Sequence, residues 1–342
     1  MAVRLKDVAA RAGVSVKTAS NVINDYPHIT PQTRAKVQAA IDELRYRPNL
    51  SARRLKHGKA GFLAFALPRI TEPYFAEVAA VLAAEATRRG YILLLDPTDG
   101  TEQNEQLVLD GMRSHMIDGV IFSPLAIAGE RIAARTDDVP MVLLGEREVP
   151  VGYDHVAIDS VAAARAMTEH LIALGRRRIA SIGAGAHSGT STARTIGFAQ
   201  ALAHHGFERS AEHEVEPDRW DRESGYAAMH QLLALPERPD AVFCFNDLMA
   251  IGALRACREA GVDVPGEIAL AGFDDIDETR YSTPTITTIR PDLQLLAQRV
   301  LEVLEARIDG DSSDARRIEV PWELLPREST ARATEPGPVS DR

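Results

Sequence analysis

Three textures of hydrophobic and polar positions divide the chain. Over residues 5–24 (LKDVAARAGVSVKTASNVIN) apolar side chains recur at helical intervals in two short runs with a break between them. Val8 and Ala9 give the first run an apolar stripe, and Ala12 is small enough to let a second helix approach. Gly13 suits the left-handed conformation that closes a helix, and Ser15 can cap the next one. In the second run Ala19, Val22 and Ile23 face inward, whereas Val16, Lys17, Ser20 and Asn21 are left facing out. Thr30-Pro31, a cap followed by proline at the first helical position, opens a third helix over 31–46 with Val37, Ile41 and Leu44 at core spacing. Pro48 stops it, because the residue before a proline is pushed out of the helical region.

The second texture is residues 49–57 (NLSARRLKH), helix-forming and basic with one large apolar side chain, Leu55. It falls short of the roughly 12–15 residues that an isolated helix needs in water. Two readings stand open. One is a plain basic linker. The other is a segment that orders only on DNA, with Arg53, Arg54 and Lys56 at phosphates and Leu55 wedged between base steps of the minor groove.

From residue 60 the pattern becomes short apolar runs alternating with amphipathic stretches. GFLAFALP, YILLLDP, DGVIFSP and PMVLLGE are followed by a second series, HVAID, RRIASIGAG, DAVFCFND and EIALAGFDD. Helices are expected over 74–89, 102–115, 160–174, 192–206, 224–235 and 247–260. Strands alternating with helices predict parallel sheets covered on both faces, and two series predict two doubly wound α/β subdomains. Segments near 287–291 and 316–327 are expected to cross back between the lobes, and the polar tail from Ser329 to be disordered.

Composition changes this picture in one respect. A chain of 342 residues with 45% hydrophobic and 26% charged side chains is that of a soluble globular protein of two or three domains. It holds no apolar run long enough to span a bilayer, and MAVRLKDVAARAG lacks the apolar core of a signal peptide, so a cytoplasmic protein is expected. Cys244 and Cys257 are too few for a disulfide framework or a metal set. The net charge of −10 is unevenly placed: residues 1–58 carry 11 Lys/Arg against 4 Asp/Glu, a net of +7, which leaves −17 for the rest. A basic head on an acidic body can hold a polyanion at one end. The spacing of that head is helix-turn-helix, in which the second helix enters a DNA major groove; a structural hairpin with solvated polar residues is the plainer alternative.

Polar residues at strand ends are the candidates for chemistry in the core. Asp159 ends HVAID, Asn246 and Asp247 end VFCFND, and Asp274 and Asp275 end LAGFDD. Arg194 heads a helix, Trp220 sits in the polar loop PDRWDRES, and Tyr74 and Phe75 follow the first strand. Carboxylates and amides bind adjacent hydroxyls, arginine forks onto paired oxygens, and an aromatic face stacks on sugar rings. Together they describe a polyhydroxylated ligand held in a cleft between two lobes. Each also has a structural reading: Asp247 and Asp275 can cap helices, Arg194 can pair with a carboxylate, and Tyr74 can be core. Enzyme signatures (GxSxG, GxxxxGK[ST], HExxH) do not occur, and GAGAHSG lacks the spacing of a dinucleotide loop. Neither an enzyme nor a cofactor or metal is expected.

With these residues on the page, the chain resembles the LacI/GalR family of bacterial transcription regulators over about residues 5–326. The resemblance is carried by LKDVAARAGVSVKTASNVIN, YRPNLSARRL, FNDLMAIGALRACREAGVDVPGEIALAGFDD and GFDDIDETRYSTPTITTIRPD, in the order this architecture requires. It implies a helix-turn-helix domain over 1–46, a hinge helix over 47–58, and a core similar to type I periplasmic sugar-binding proteins over 59–328, with 329–342 as tail. Within the core it implies an N-subdomain of about 60–158 and 290–318 and a C-subdomain of about 159–289 and 319–328. It further implies Val16, Lys17 and Asn21 as base readers, Leu5, Ser15, Thr18, Ser20 and Asn24 as further DNA contacts, and Leu55 with Ala52 in the minor groove. On the effector side it points to Phe75, Asp159, Arg194, Trp220, Asn246 and Asp274. Many relatives carry Arg where this chain has Asn21; asparagine pairs best with adenine and arginine with guanine, so that base preference does not transfer. The C-terminal tail has no heptad pattern, which favours a homodimer on a palindromic operator over a tetramer. The expected function is a repressor controlled by a sugar or related metabolite. The alternatives are a purine or phosphosugar acting as corepressor, or a sugar-binding transport module without DNA activity.

Overall fold

The computed structural model describes residues 3–23, 26–46, 60–111, 116–145, 152–185 and 189–331. Asn24, the segment 47–58 with Ala52 and Leu55, and the tail 332–342 lie outside the described residues. The chain divides into two units, 1–61 and 62–342.

In the first unit, helix ends are set by their caps. Helix α1 (Leu5–Ala12) begins with the Arg4 backbone N–H donating to the Asp7 carboxylate at 2.8 Å, and closes at Gly13 with φ 67°. Ser15 Oγ accepts the Thr18 N–H at 3.0 Å and opens α2 (Val16–Ile23). Thr30 does the same for α3 (Pro31–Leu44), accepting from the Thr33 N–H at 3.3 Å. The three helices bury Val8, Ala9, Ala19, Val22, Val37 and Ala40 in one small core, and an ion pair from Arg11 to Glu43 at 2.7 Å ties α1 to α3.

The second unit opens with β1 (Phe62–Leu67), α4 (Pro73–Arg88), β2 (Ile92–Pro97), α5 (Glu102–Leu109), β3 (Gly119–Phe122), α6 (Gly129–Ala133), β4 (Met141–Leu144) and β5 (Asp154–Ala157). It continues through α7 (Ser160–Ala173), β6 (Ile179–Ile182), α8 (Gly189–His204), β7 (Glu214–Val215), α9 (Arg222–Leu233), β8 (Ala241–Cys244), α10 (Asp247–Glu259), β9 (Ala269–Ala271) and α11 (Glu278–Tyr281). It ends with β10 (Thr288–Pro291), α12 (Leu293–Ile308), β11 (Arg317–Glu319) and β12 (Trp322–Leu325). Among the described residues these make a six-stranded parallel sheet in the order β11-β5-β4-β3-β1-β2 and a four-stranded parallel sheet in the order β7-β6-β8-β9. Strands such as 63–67 and 241–244 are apolar along their whole length because helices cover both faces, and every residue in them is buried. HVAID, grouped with the second series on its sequence, instead joins the first sheet between β4 and β11.

The chain passes between the lobes three times: from β5 into α7, from β10 into α12, and from β11 into β12, with β10 and β12 paired antiparallel. A buried carboxylate locks the returning segments onto the first lobe, as Asp154 on β5 receives Arg307 of α12 at 2.6 Å and the Arg316 N–H at 2.8 Å. The start of the expected tail is also corrected. Ser329 and Thr330 are buried, and Ser329 Oγ donates to the Leu270 carbonyl at 2.6 Å while accepting the Thr287 N–H at 2.8 Å. Their small hydroxyls satisfy backbone groups at the edge of the second sheet, a use that composition does not reveal.

Candidate functional site

In the first unit, α2 presents Val16 and Lys17 to solvent, Val16 with 48% of its surface exposed, while Thr18, Ser20 and Asn21 are partly exposed beside them. Ala19 and Val22 on the opposite side are buried, so the helix offers one outward edge of residue types suited to base edges and phosphates. Ser15 and Thr18 share a hydroxyl contact at 2.8 Å at the head of that edge. Leu5, expected among the DNA contacts, is partly exposed and packs against the core of this unit. It begins the stripe that continues with Val8 and Ala9.

In the second unit, a cavity of about 710 Å³ lies between the two parallel sheets. It falls within the range of small-molecule sites, about 300–1,000 Å³. Phe75, Arg194, Trp220, Asn246 and Asp274 line it, drawn from the head of α4, α8, the loop before α9, the end of β8 and the loop after β9. Asp159 is not among the lining residues. It caps α7, where its carboxylate accepts the Ala162 N–H at 2.9 Å. An aspartate after a strand serves a cap or a ligand with the same sequence pattern, and here the cap prevails.

Arg194 is the post of the site. Its side chain is 6% exposed, donates to the Phe245 carbonyl, lies 3.5 Å over the Phe273 ring and stands 3.7 Å from the Asp274 carboxylate. Asp274 has φ 113° and Asp275 φ 55°, a pair of left-handed residues without glycine that is held only because its surroundings over-determine it. The turn aims the two carboxylates apart: Asp274 lines the cavity, whereas Asp275 is buried against Arg280 at 2.7 Å and against Arg327. Behind them the fully buried Asp247 accepts from the Thr288 hydroxyl at 2.8 Å and the Ile276 N–H at 3.0 Å. Burial, with the Asp274 charge adding to it, pushes the Asp247 carboxyl well above the usual range. Neither Asp247 nor Asp275 is a helix cap; both tie loops to β10.

Asn246 is the cap of α10, accepting the Met249 N–H at 2.9 Å, and its amide donates to the Trp220 carbonyl at 3.0 Å. One side chain thus fixes both the helix and the indole-bearing loop. The helices on which these groups stand cross closely: a Cβ at Gly225 of α9 would lie 2.2 Å from the Met249 carbonyl, and one at Gly252 of α10 would lie 1.9 Å from the Arg222 carbonyl. A larger residue at either glycine would displace the loop.

Residues that the sequence reading did not select also reach the cavity, among them Arg69, Glu72, Ser191, Glu216, Asp218 and Arg219. Burial raises the Glu72 carboxyl against the pull of its partner Arg69, 3.0 Å away. Glu105, fully buried, holds the loop after β3 by accepting the Leu125, Ala126 and Ile127 N–H groups at 2.7, 3.0 and 2.7 Å. Among the described residues no group of three or more His, Cys, Asp or Glu side chains is placed to hold a metal ion, and no helix is long and apolar enough to cross a membrane.

Comparison with known proteins places both units. Residues 4–49 match the family described as bacterial regulatory proteins, lacI family, and residues 168–330 match the periplasmic binding protein-like domain. The chain is 34% identical to the HTH-type transcriptional repressor PurR of Pectobacterium carotovorum subsp. carotovorum (strain PC1), over 96% of each chain. The lac repressor dimer bound to operator and the anti-inducer ONPF superposes with a TM-score of 0.85 at 27% identity, covering 96% of this chain and 99% of that one. The transcriptional regulator CelR in its cellobiose complex superposes with a TM-score of 0.72 at 29% identity, with the same coverage.

Proposed function

The chain belongs to the LacI family of bacterial regulatory proteins, as a DNA-binding transcriptional repressor, and on that premise we propose that a neutral sugar in the interlobe cavity sets its affinity for a palindromic operator. The observation that carries the ligand class is the charge matching of the cavity. Arg69 pairs with Glu72 at 3.0 Å, Arg194 lies 3.7 Å from Asp274, and Arg219 pairs with Asp221 at 3.1 Å. Each guanidinium already faces a carboxylate, and Asp218 adds further negative charge. A phosphate entering this site would meet repulsion, whereas hydroxyls can both donate to the carboxylates and accept from the guanidiniums. Trp220 and Phe75 supply apolar faces for the C–H surface of a sugar ring. That CelR is solved with cellobiose in the same fold supports this reading.

On the DNA side, Val16, Lys17 and Asn21 read base edges from the exposed edge of α2, with Ser15, Thr18 and Ser20 at phosphates. Ala52 and Leu55 act in the minor groove. Two copies bind together, joined through the first lobe, where the edge strand β2 leaves Ile92, Leu94 and Leu95 36–45% exposed. Effector binding changes the closure of the lobes, and the dimer transmits that change to the DNA-binding units. By linkage, the factor by which the ligand alters operator affinity is the factor by which operator alters ligand affinity.

The test is a thermal-shift panel of mono- and disaccharides, phosphosugars and purines, followed by operator titration with and without each hit. A neutral sugar that stabilises the protein and changes operator affinity is the expected result. A phosphosugar or purine as the active compound overturns the ligand class, and the absence of salt-dependent DNA binding overturns the regulator reading in favour of a transport module.

A further inference from the structure

One wall of the cavity is the segment that leaves β3 in the first lobe, where Ser123, Pro124, Leu125 and Ala126 line the space. The carboxyl end of a parallel strand is where α/β folds meet their ligands, and successive backbone N–H groups in such a turn make a cradle for anions. In this chain the donors of that turn are already engaged. The Ser123 N–H donates to the Ala66 carbonyl at 2.9 Å, and Pro124 has no N–H. The next three N–H groups, of Leu125, Ala126 and Ile127, donate to the Glu105 carboxylate at 2.7, 3.0 and 2.7 Å. Glu105 is fully buried and reaches the turn from α5, whose start is fixed by Thr101 accepting the Asn104 N–H at 3.3 Å. The wall is also backed closely, since a Cβ at Gly100 would lie 3.2 Å from the Leu125 side chain.

We propose that Glu105 is a positioning residue that sets ligand specificity: an internal anion seated in the donor nest of the first-lobe wall, which closes that nest to anionic ligands. The proposal rests on the neutral-ligand reading and gives it a second cause, separate from the paired guanidiniums. Hydrogen bonds from N–H groups to a carboxylate are charge-assisted, shorter and stronger than those between neutral groups, so a dissolved anion competes poorly for the same donors. In a trans peptide the carbonyl points opposite to the N–H, so the carbonyls of Pro124, Leu125 and Ala126 turn away from Glu105. What the turn can offer a ligand is therefore carbonyl oxygens and side chains. A hydroxyl can donate to the former and a C–H surface can pack on Leu125 and Ala126, whereas a phosphate finds acceptors where it needs donors.

The test uses the full chain without any sugar, so its outcome is separate from the sugar reading. Glu105→Ala removes the last methylene and the carboxylate, a fragment that acetate matches and neutral acetamide matches in shape only. Melting is followed in acetate, acetamide and inorganic phosphate against chloride at equal ionic strength. Glu105→Ala should melt below the parent in chloride, and acetate should raise it saturably where acetamide does not. Phosphate should give a saturable rise in Glu105→Ala, whose nest is vacant, and none in the parent. No saturable effect of acetate in the variant, or an equal effect of acetamide, overturns the internal anion. A saturable rise with phosphate in the parent, or none in the variant, overturns its part in specificity. Should Glu105→Ala not fold in chloride, its refolding yield in acetate against acetamide reads the same rescue, and equal yields overturn the proposal.

Discussion

Replacing Arg194 with alanine separates the post of the cavity from the DNA-binding unit. The guanidinium is 6% exposed, donates to the Phe245 carbonyl and lies 3.7 Å from Asp274, whose side chain is 12% exposed. A buried hydrogen bond from a charged donor contributes about 1.5–3 kcal/mol. Removing one partner of a buried pair costs about 3–5 kcal/mol, because the other charge stays behind. The ion-pair distance is long, so the lower end applies, and Arg194→Ala should destabilise the core by about 3 kcal/mol. At about 2–4 °C per kcal/mol this lowers the melting temperature by roughly 6–12 °C. Operator binding by the separate N-terminal unit should persist, while the change in operator affinity on adding effector is lost. Melting followed by circular dichroism, and fluorescence anisotropy on labelled operator below the new midpoint, read both parts. A melting point within about 2 °C of the parent, or an undiminished effector response, would refute the assignment of Arg194 as the post.

Four further outcomes follow from the same geometry. Glu105→Gln leaves one oxygen where a carboxylate accepts three N–H groups, so denaturant unfolding should show a loss of about 2–4 kcal/mol. The hydrogen bond from Arg88, opposed by burial and reinforced by Arg89, lowers the Glu85 carboxyl from 4.5 to about 2. The stability this gives is present above pH 4.5 and lost as pH falls towards 2, so Glu85→Gln should flatten the acid limb of a stability–pH curve. Asn21→Ala should cost about 1–3 kcal/mol on operator and relax preference at a single base pair, measured by competition with operator variants. Ile92→Lys, at an edge residue 45% exposed, should shift sedimentation towards a single copy without lowering the melting point of the core.

Local rules made much of this molecule readable. Caps and small residues marked the three N-terminal helices, and continuous apolar runs marked the strands of both sheets. Strand ends then indicated Asn246 and Asp274, and a helix head, a polar loop and the segment after the first strand indicated Arg194, Trp220 and Phe75, all of which line the cavity. What escaped was set by contacts remote in sequence. Asp159 and Asn246 both follow a strand and both cap a helix, but only Asn246 reaches the cavity as well, because the loop bearing Trp220 folds over it. Asp275 and Arg327 are 52 positions apart, and nothing near either one announces their pairing. Arg69, Glu72 and Arg219 lie in polar turns, where sequence does not distinguish a side chain facing a cleft from one facing water.

The route of the chain has a consequence for how this protein is made. The first lobe is not contiguous: α12 packs on α4, and β11 completes the sheet beside β5, across more than 150 intervening residues. On the ribosome the N-terminal unit can fold as soon as residue 46 emerges, but the first lobe must wait with an open strand edge until residues 293–319 follow. The second lobe is translated inside that interval. At about 5–20 residues per second the wait lasts on the order of 10–30 s, during which the apolar surface of β5 and α4 is available to other chains. Truncation before residue 320 should therefore damage the lobe encoded first, and synthesis at lower temperature or with added chaperone should raise the soluble yield of the whole.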